Sequence, residues 1–305
     1  MIPYLTRRAV HSAVALLGLL AAVFFLARLT GDPTDLFLPV DASLEDRVEF
    51  AHKHGYDLPA TRQFARFVGD VMQGDLGFSL RKQRPAIDVV LEAYPTTLKL
   101  AGVTLLIGIS LAIAVGALAA YRPGGLFDRA GSTFALVGAS APDFWLGITA
   151  ILFFSVYLRW LPTSGTDGFL SWIMPVAVLA LRPFGLLVQV VRGAMLDALA
   201  SAYVKTARAK GVGESSIIFV HALRNALLAV VTVAGNLAVG LINGAVIVET
   251  VFGWPGVGKL MIDAVVQRDF AVVQASIMVT ASAIFLMNIL IDLLYVALDP
   301  RIRHQ

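Results

Sequence analysis

Gly253-Trp-Pro-Gly-Val-Gly258-Lys259 spells the Gly-x4-Gly-Lys opening of a loop that cradles phosphate on backbone N–H groups. The next residue is Leu260, so no hydroxyl would reach a magnesium ion, and Pro255 removes a backbone donor. Gly138-Ala-Ser140-Ala141 lacks the second glycine of a nucleophile elbow. His52 and His54 alternate in a charged loop without the further ligands that a metal shell requires. With no cysteine in the chain, disulfides, thiolate metal sites and cysteine nucleophiles are all excluded. The expectation is therefore no catalytic residue, no metal site and no cofactor held by this chain.

What remains are polar and small residues set where apolar ones are the rule. Arg182 interrupts an apolar run, and Asn288 and Asp292 lie one helical turn apart in another. Gly235, Asn236, Gly240, Asn243 and Gly244 share a third run, with a small-xxx-small pair at Gly240 and Gly244. Close helix packing and a solute-lining face both account for the glycines. The two asparagines favour a pathway, because an amide in lipid must find a partner. Arg182 on such a pathway would attract a carboxylate, whereas Asp292 reads as structural.

The densest polar stretch is Tyr203-Val-Lys-Thr-Ala-Arg-Ala-Lys-Gly211, followed by Gly213, Glu214 and His221-Ala-Leu-Arg-Asn225. Ala194–Lys210 is rich in helix formers, Gly211 and Gly213 offer a left-handed stop, and Ser215–Leu223 resumes a helix. A bent helical element of this kind is a handle for a partner. The charges Lys205, Arg208 and Lys210 would serve equally to hold the segment to anionic lipid.

The elements that must position these residues are membrane spans. The 305-residue chain is 58% hydrophobic and 15% charged, with mean hydropathy +0.78, more apolar surface than a soluble core of that size can hide. Its apolar residues come in blocks of about 20, the length that crosses roughly 30 Å of hydrocarbon. Arg7 and Arg8 precede Ala9–Ala27, which runs into Arg28 without a cleavage site and so reads as a retained first helix rather than a secretory or twin-arginine signal. Further spans are predicted over Leu98–Ala120, Ser132–Tyr157 with a kink at Pro142, Trp172–Val191, Ala226–Val248 and Val272–Leu298. The fold class is thus all-α, with six transmembrane helices in a single domain spanning residues 1–305. Residues 1–28 form the first helix, 29–97 an external segment, and 98–305 a five-helix core that carries the cytoplasmic segment 192–225.

Basic residues set the orientation. One set of short flanks carries Arg7, Arg8, Arg122, Arg129, Arg192, Lys205, Arg208, Lys210, Arg224, Arg301 and Arg303, whereas the opposite set carries Arg159, Lys259 and Arg268. Both termini are therefore expected in the cytoplasm, and the long Leu29–Thr97 segment outside. Within that segment Leu44–His54 and Arg62–Met72 have helical apolar spacing, broken by Gly55, Pro59, Gly74 and Gly77. The net charge of +3 and pI of about 9.3 follow membrane topology and do not form a nucleic-acid patch. Pro255–Gln267 is predicted to form a short external helix capping the pathway.

The 203–214 stretch resembles the signature loop of permeases of ATP-binding-cassette importers, Glu-Ala-Ala, three residues, then Gly. Ala207 and Gly211 match, while Lys205 and Thr206 replace the first two signature residues in the manner of the dipeptide, oligopeptide and nickel branch. Gly55-Tyr-Asp-Leu-Pro59, Gly74-Asp-Leu-Gly-Phe-Ser79, Pro142-Asp-Phe-Trp-Leu146, Val248-Glu-Thr-Val-Phe252 with Trp254-Pro-Gly256, and Asp299-Pro-Arg-Ile-Arg303 are similar to the same branch, in its first-permease type.

The resemblance implies a bacterial inner-membrane permease for short peptides, or alternatively for nickel complexes or glutathione. It implies a second homologous permease, two cytoplasmic ATP-binding subunits that hold ATP and magnesium, and an external solute-binding protein. Lys205, Thr206, Ala207, Arg208, Ala209, Lys210, Gly211, Gly213 and Glu214 would then couple to an ATPase, with a short helix near Ala207–Glu214 in its cleft and Arg208, Lys210 and Glu214 as rim contacts. Arg182, Asn236, Gly240, Asn243 and Gly244 would line the pathway. An ion-coupled carrier and a purely structural membrane subunit are the readings from other classes. The carrier should show inverted repeats and several ionisable residues near the midplane, and Arg182 alone approaches that.

Overall fold

The computed structural model describes residues 2–29, 34, 38, 42–79 and 81–298. The Asp299–Arg303 motif lies outside them, as do the side chains of Arg7 and Arg8. The helices are α1 (Ile2–Leu29), α2 (Leu44–His54), α3 (Ala60–Met72), α4 (Ala86–Tyr121), α5 (Leu126–Ser140) and α6 (Asp143–Ala150), the last prolonged by π-helical Ile151–Tyr157. They continue as α7 (Leu170–Ala200), α8 (Ala202–Ala209), α9 (Glu214–Ser216), a π-helical stretch Ile217–Ala222, α10 (Leu223–Val251), α11 (Val257–Val266) and α12 (Phe270–Leu298). A two-residue antiparallel pair, β1 (Phe78–Ser79) and β2 (Arg84–Pro85), precedes α4.

The helices within Ala86–Tyr121, Leu170–Ala200, Ala229–Val251 and Phe270–Leu293 are long and apolar enough to cross a membrane. The apolar part of α1, Val10–Leu26, is shorter. Phe134, Leu136, Val137, Leu152 and Leu286 point outward from the chain, as lipid-facing or subunit-facing side chains do. The protein is an all-α, multi-pass membrane protein.

The expected third span is not one kinked rod. Helices α5 and α6 meet at 104° across a short break. Ala141 takes an extended conformation (φ −77°, ψ 138°), because the ring of Pro142 crowds the residue before it out of the helical region, and a new helix starts at Asp143. The second span also begins earlier than its hydropathy suggests: α4 starts at Ala86 and carries Pro95 inside it.

Contacts divide the chain into two compact units, one of residues 1–95 and 257–286, the other of 96–256 and 287–305. In the first, Leu20 and Phe24 of α1 join a core with Val89, Val90 and Tyr94 of α4 and Val272, Ala275 and Met278 of α12. Phe24 stacks on Phe67 of α3 at 5.4 Å. Helix α2 opens with a capping box: Ser43 Oγ accepts from Asp46 N at 3.1 Å, and Asp46 Oδ2 accepts from Ser43 N at 3.3 Å. It closes on Gly55 at φ 71°. The hairpin is anchored where the buried Ser79 hydroxyl donates to Asp269 Oδ2 at 2.5 Å, the residue that precedes α12.

In the second unit α7 is the central helix, with α5 and α10 packed against it through Leu187, Val188, Val191, Met195, Ala135, Ala222 and Ala226. Gly185 of α7 faces the Ala135 carbonyl and the Ala139 methyl so closely that a Cβ there would overlap both. A second cluster gathers Leu100, Leu179, Leu241, Val248, Phe252 and Trp254 near the far end of α10.

Candidate functional site

The 202–214 elbow differs in register from its prediction. Helix α7 runs on to Ala200 and stops where Ser201 turns extended (ψ 157°), so Ala194–Ala200 belongs to the long helix. The short element is α8, Ala202–Ala209, and the predicted helix near Ala207–Glu214 is mostly a turn. Beyond it the helix resumes over Ser215–Leu223 as expected, and the chain is helical from Glu214 through Val251.

Val204 is fully buried and Ala207 half-buried, one turn apart, and they seat α8 on its own subunit. Lys205, Thr206, Arg208, Ala209 and Lys210 consequently stand exposed, as do Gly211 and Gly213. The turn closes on three backbone bonds: Lys210 N to Thr206 O at 3.1 Å, Gly211 N to Arg208 O at 3.0 Å, and Val212 N to Ala207 O at 3.1 Å. That pattern needs a left-handed residue, and Gly211 supplies it at φ 77°.

Arg208 and Glu214 bridge the turn. Arg208 donates from Nη2 to Glu214 Oε1 at 2.6 Å and from Nε to Oε2 at 3.2 Å. The hydrogen bond from Arg208 holds the Glu214 carboxyl below its ordinary range and, reciprocally, raises the Arg208 guanidinium. These two residues therefore face each other across the elbow, leaving Lys205 and Lys210 as its outward cations. Asn225 of α10 donates to the Tyr203 hydroxyl at 2.8 Å, a second strut between the elbow and the following helix.

On α10, Asn236, Gly240 and Asn243 are exposed at helical spacing, one continuous polar or small face. Gly244 turns away from it: a Cβ there would lie 3.5 Å from Leu179 Cδ1 and 3.9 Å from Asp143 Oδ2. The Gly240–Gly244 pair is thus divided between an open face and an intrachain contact, and is not one packing surface. Arg182 is exposed on α7. Asp143, a carboxylate straight after Pro142 in an apolar stretch, is half-buried beside Gly244, a placement its sequence did not announce.

The phosphate-loop lookalike is filled from within. The buried Glu249 carboxylate lies against Gly256 so closely that a Cβ would overlap all three of its atoms, and Trp254 is fully buried. A carboxyl group already occupies the face that a phosphate would need.

The family described as the inner membrane component of binding-protein-dependent transport systems matches residues 112–304. The chain belongs to this family. It is an inner-membrane ABC-importer permease. Full-length relatives include the di/tripeptide permease DppB of Pseudomonas aeruginosa strain UCBPP-PA14 and the oligopeptide permease AppB of Bacillus subtilis strain 168, each 36% identical with 100% of both chains covered. The glutathione permease GsiC of Pectobacterium atrosepticum is also 36% identical over 100% of both chains. Among solved structures, the inward-facing methionine transporter MetNI superposes at TM-score 0.59 with 18% identity, covering 69% of this chain and 96% of that one. An amino acid ABC transporter with histidines superposes at 0.54 with 16% identity, covering 68% and 93%. Both share the permease fold with this chain.

Proposed function

We propose that this permease imports short peptides, as one of two homologous permease subunits that together form the translocation pathway. Residues 1–305 act as one transmembrane domain with six spans and both termini in the cytoplasm, α1 being the first span and the α5–α6 pair the third. The elbow Lys205–Glu214 docks on one of two cytoplasmic ATPase subunits, which hold ATP and magnesium, and an external binding protein delivers the solute. Closure of the ATPases on nucleotide favours one of two permease conformations, because the docked elbow moves with them. The pathway runs along Asn236, Gly240 and Asn243 of α10, with Arg182 and Gly244 beside it.

One observation carries this reading: α8 and the Gly211 turn form an exposed, internally braced elbow that leads directly into α10, the helix with the polar face. Glutathione is the second candidate solute, supported by the 36% identity to GsiC. The test is ATP-dependent uptake of alanyl-alanine and of glutathione by the four-subunit transporter in liposomes with its binding protein. Accumulation by this chain alone, without ATPase subunits, would defeat the proposal.

A further inference from the structure

Asp143 and Arg182 are opposite charges on α6 and α7, within segments that cross or enter the membrane. Leu179 and Asp143 converge on Gly244 of α10 from two different helices, and Arg182 lies one turn beyond Leu179. Yet, among the described residues, neither group makes a hydrogen bond or an ion pair.

A charge on a spanning helix is strongly disfavoured against hydrocarbon, so these two face protein or water. Opposite charges that exist only to be buried would close on each other, because a pair held apart keeps its desolvation cost and forgoes most of its attraction. Here they stand apart, and Gly244 between their helices adjoins the exposed Asn236, Gly240 and Asn243 face. The arrangement is an open dipole beside a polar surface.

We propose that Arg182 and Asp143 form a zwitterion-binding station on the pathway, Arg182 taking the free carboxylate and Asp143 the free ammonium of one short peptide. This inference rests on the peptide-import reading above. A dipeptide extends over at most about 7 Å, so its ends can engage two charges that do not meet each other. An arginine fork suits a carboxylate, and an aspartate accepts from an ammonium group. A long peptide would not satisfy both charges at once, so the station favours dipeptides and tripeptides.

The test uses the assembled four-subunit transporter in nanodiscs without its external protein, and equilibrium binding of three probes: alanyl-alanine, its C-terminal amide and its N-acetyl derivative. The wild type should bind each blocked probe about tenfold more weakly than the free dipeptide, the loss of one charge-assisted hydrogen bond. In Arg182→Gln the amide and the free dipeptide should bind alike while the acetyl penalty persists; Asp143→Asn should reverse that pattern. If one variant fails to assemble, the other decides, since each has its own asymmetry. Parallel loss for all three probes, as expected if the charges pair with the second permease, overturns the station, as does absence of binding by the wild type. Uptake by the same transporter with its external protein present separates the two levels. Intact dipeptide uptake without station binding sinks the station alone, whereas no uptake of any short peptide sinks the peptide reading beneath it.

Discussion

The Thr97 hydroxyl donates a hydrogen bond to Glu249 Oε1 at 2.6 Å, and both residues are fully buried. It joins α4 to the end of α10, 152 positions away in sequence. The other side of the same carboxylate is fitted to the bare backbone of Gly256. Thr97→Val keeps the shape but removes a donor, and should destabilise the protein by about 1–3 kcal/mol. Gly256→Ala forces a methyl into the carboxyl group and should cost about 3 kcal/mol. Thermal unfolding of the detergent-solubilised protein checks both, and a melting temperature unchanged by Gly256→Ala would contradict the packing described.

Asp128 and Arg192 tie the start of α5 to the C-terminal half of α7, with Arg192 Nε to Asp128 Oδ1 at 2.5 Å and Nη2 to Oδ2 at 2.8 Å. Asp128 is 4% exposed and Arg192 28%, so removing the arginine strands a buried carboxylate. Arg192→Ala is expected to lower stability by about 3 kcal/mol. Arg192→Lys should recover part of this, since a lysine keeps the charge but not the two-pronged geometry. Monodispersity on size-exclusion chromatography after mild heating ranks the three proteins.

Gly211 has open space around it, so its requirement is conformational rather than steric. Gly211→Ala should cost about 1–2 kcal/mol of turn stability at φ 77°, and Gly211→Asn less, because asparagine tolerates the left-handed region. Gly211→Trp adds bulk to the docking face and should leave the protein in the membrane while uncoupling ATP hydrolysis from uptake. Comparing ATPase rate with uptake in the same liposomes reads this directly, and normal coupled uptake by the tryptophan variant argues against the elbow as the coupling element.

The Arg208–Glu214 bridge should brace the elbow in the shape that docks. Single Arg208→Glu or Glu214→Arg changes should loosen the turn, and the double exchange should restore it. Because the chain has no cysteine, one introduced at Val212 can carry a spin label whose mobility reports the turn. Glu214 is held below its ordinary value of 4.5, so the brace is in place above that pH and is lost as pH falls through the lowered value. Label mobility that neither single charge reversal changes would remove the brace from the account.

Lys205 and Lys210 are the cations that the elbow still presents outward. Lys205→Glu with Lys210→Glu should weaken association with the ATPase subunits about tenfold if the partner surface is acidic, as charge reversal at a contact rim does. Co-purification of the subunits at rising salt measures it, and undiminished association would point these lysines to lipid headgroups instead.

Much of this protein was written locally, and the local part was legible. Hydropathy over about 20 residues marks a span whatever surrounds it. A glycine between helix formers marks a left-handed stop, as at Gly55 and Gly211, because only backbone sterics decide it. Helices α2, α3 and α11 fell close to their predicted ranges for the same reason. The elbow was found, though displaced by several residues, since nothing in the helix-forming run 194–210 signals that Ser201 turns extended.

Pro142 shows the limit of local rules. The proline announces a disturbance, but whether a helix kinks or breaks by 104° depends on what the two halves pack against. Tertiary structure alone brought Asp143 and Leu179 together at Gly244, set Glu249 against Thr97 and Gly256, and joined Arg208 to Glu214 across the turn. Charges and hydroxyls act over a few ångströms of space, and a sequence records which residues could meet but not which of them the packing of helices brings within that distance.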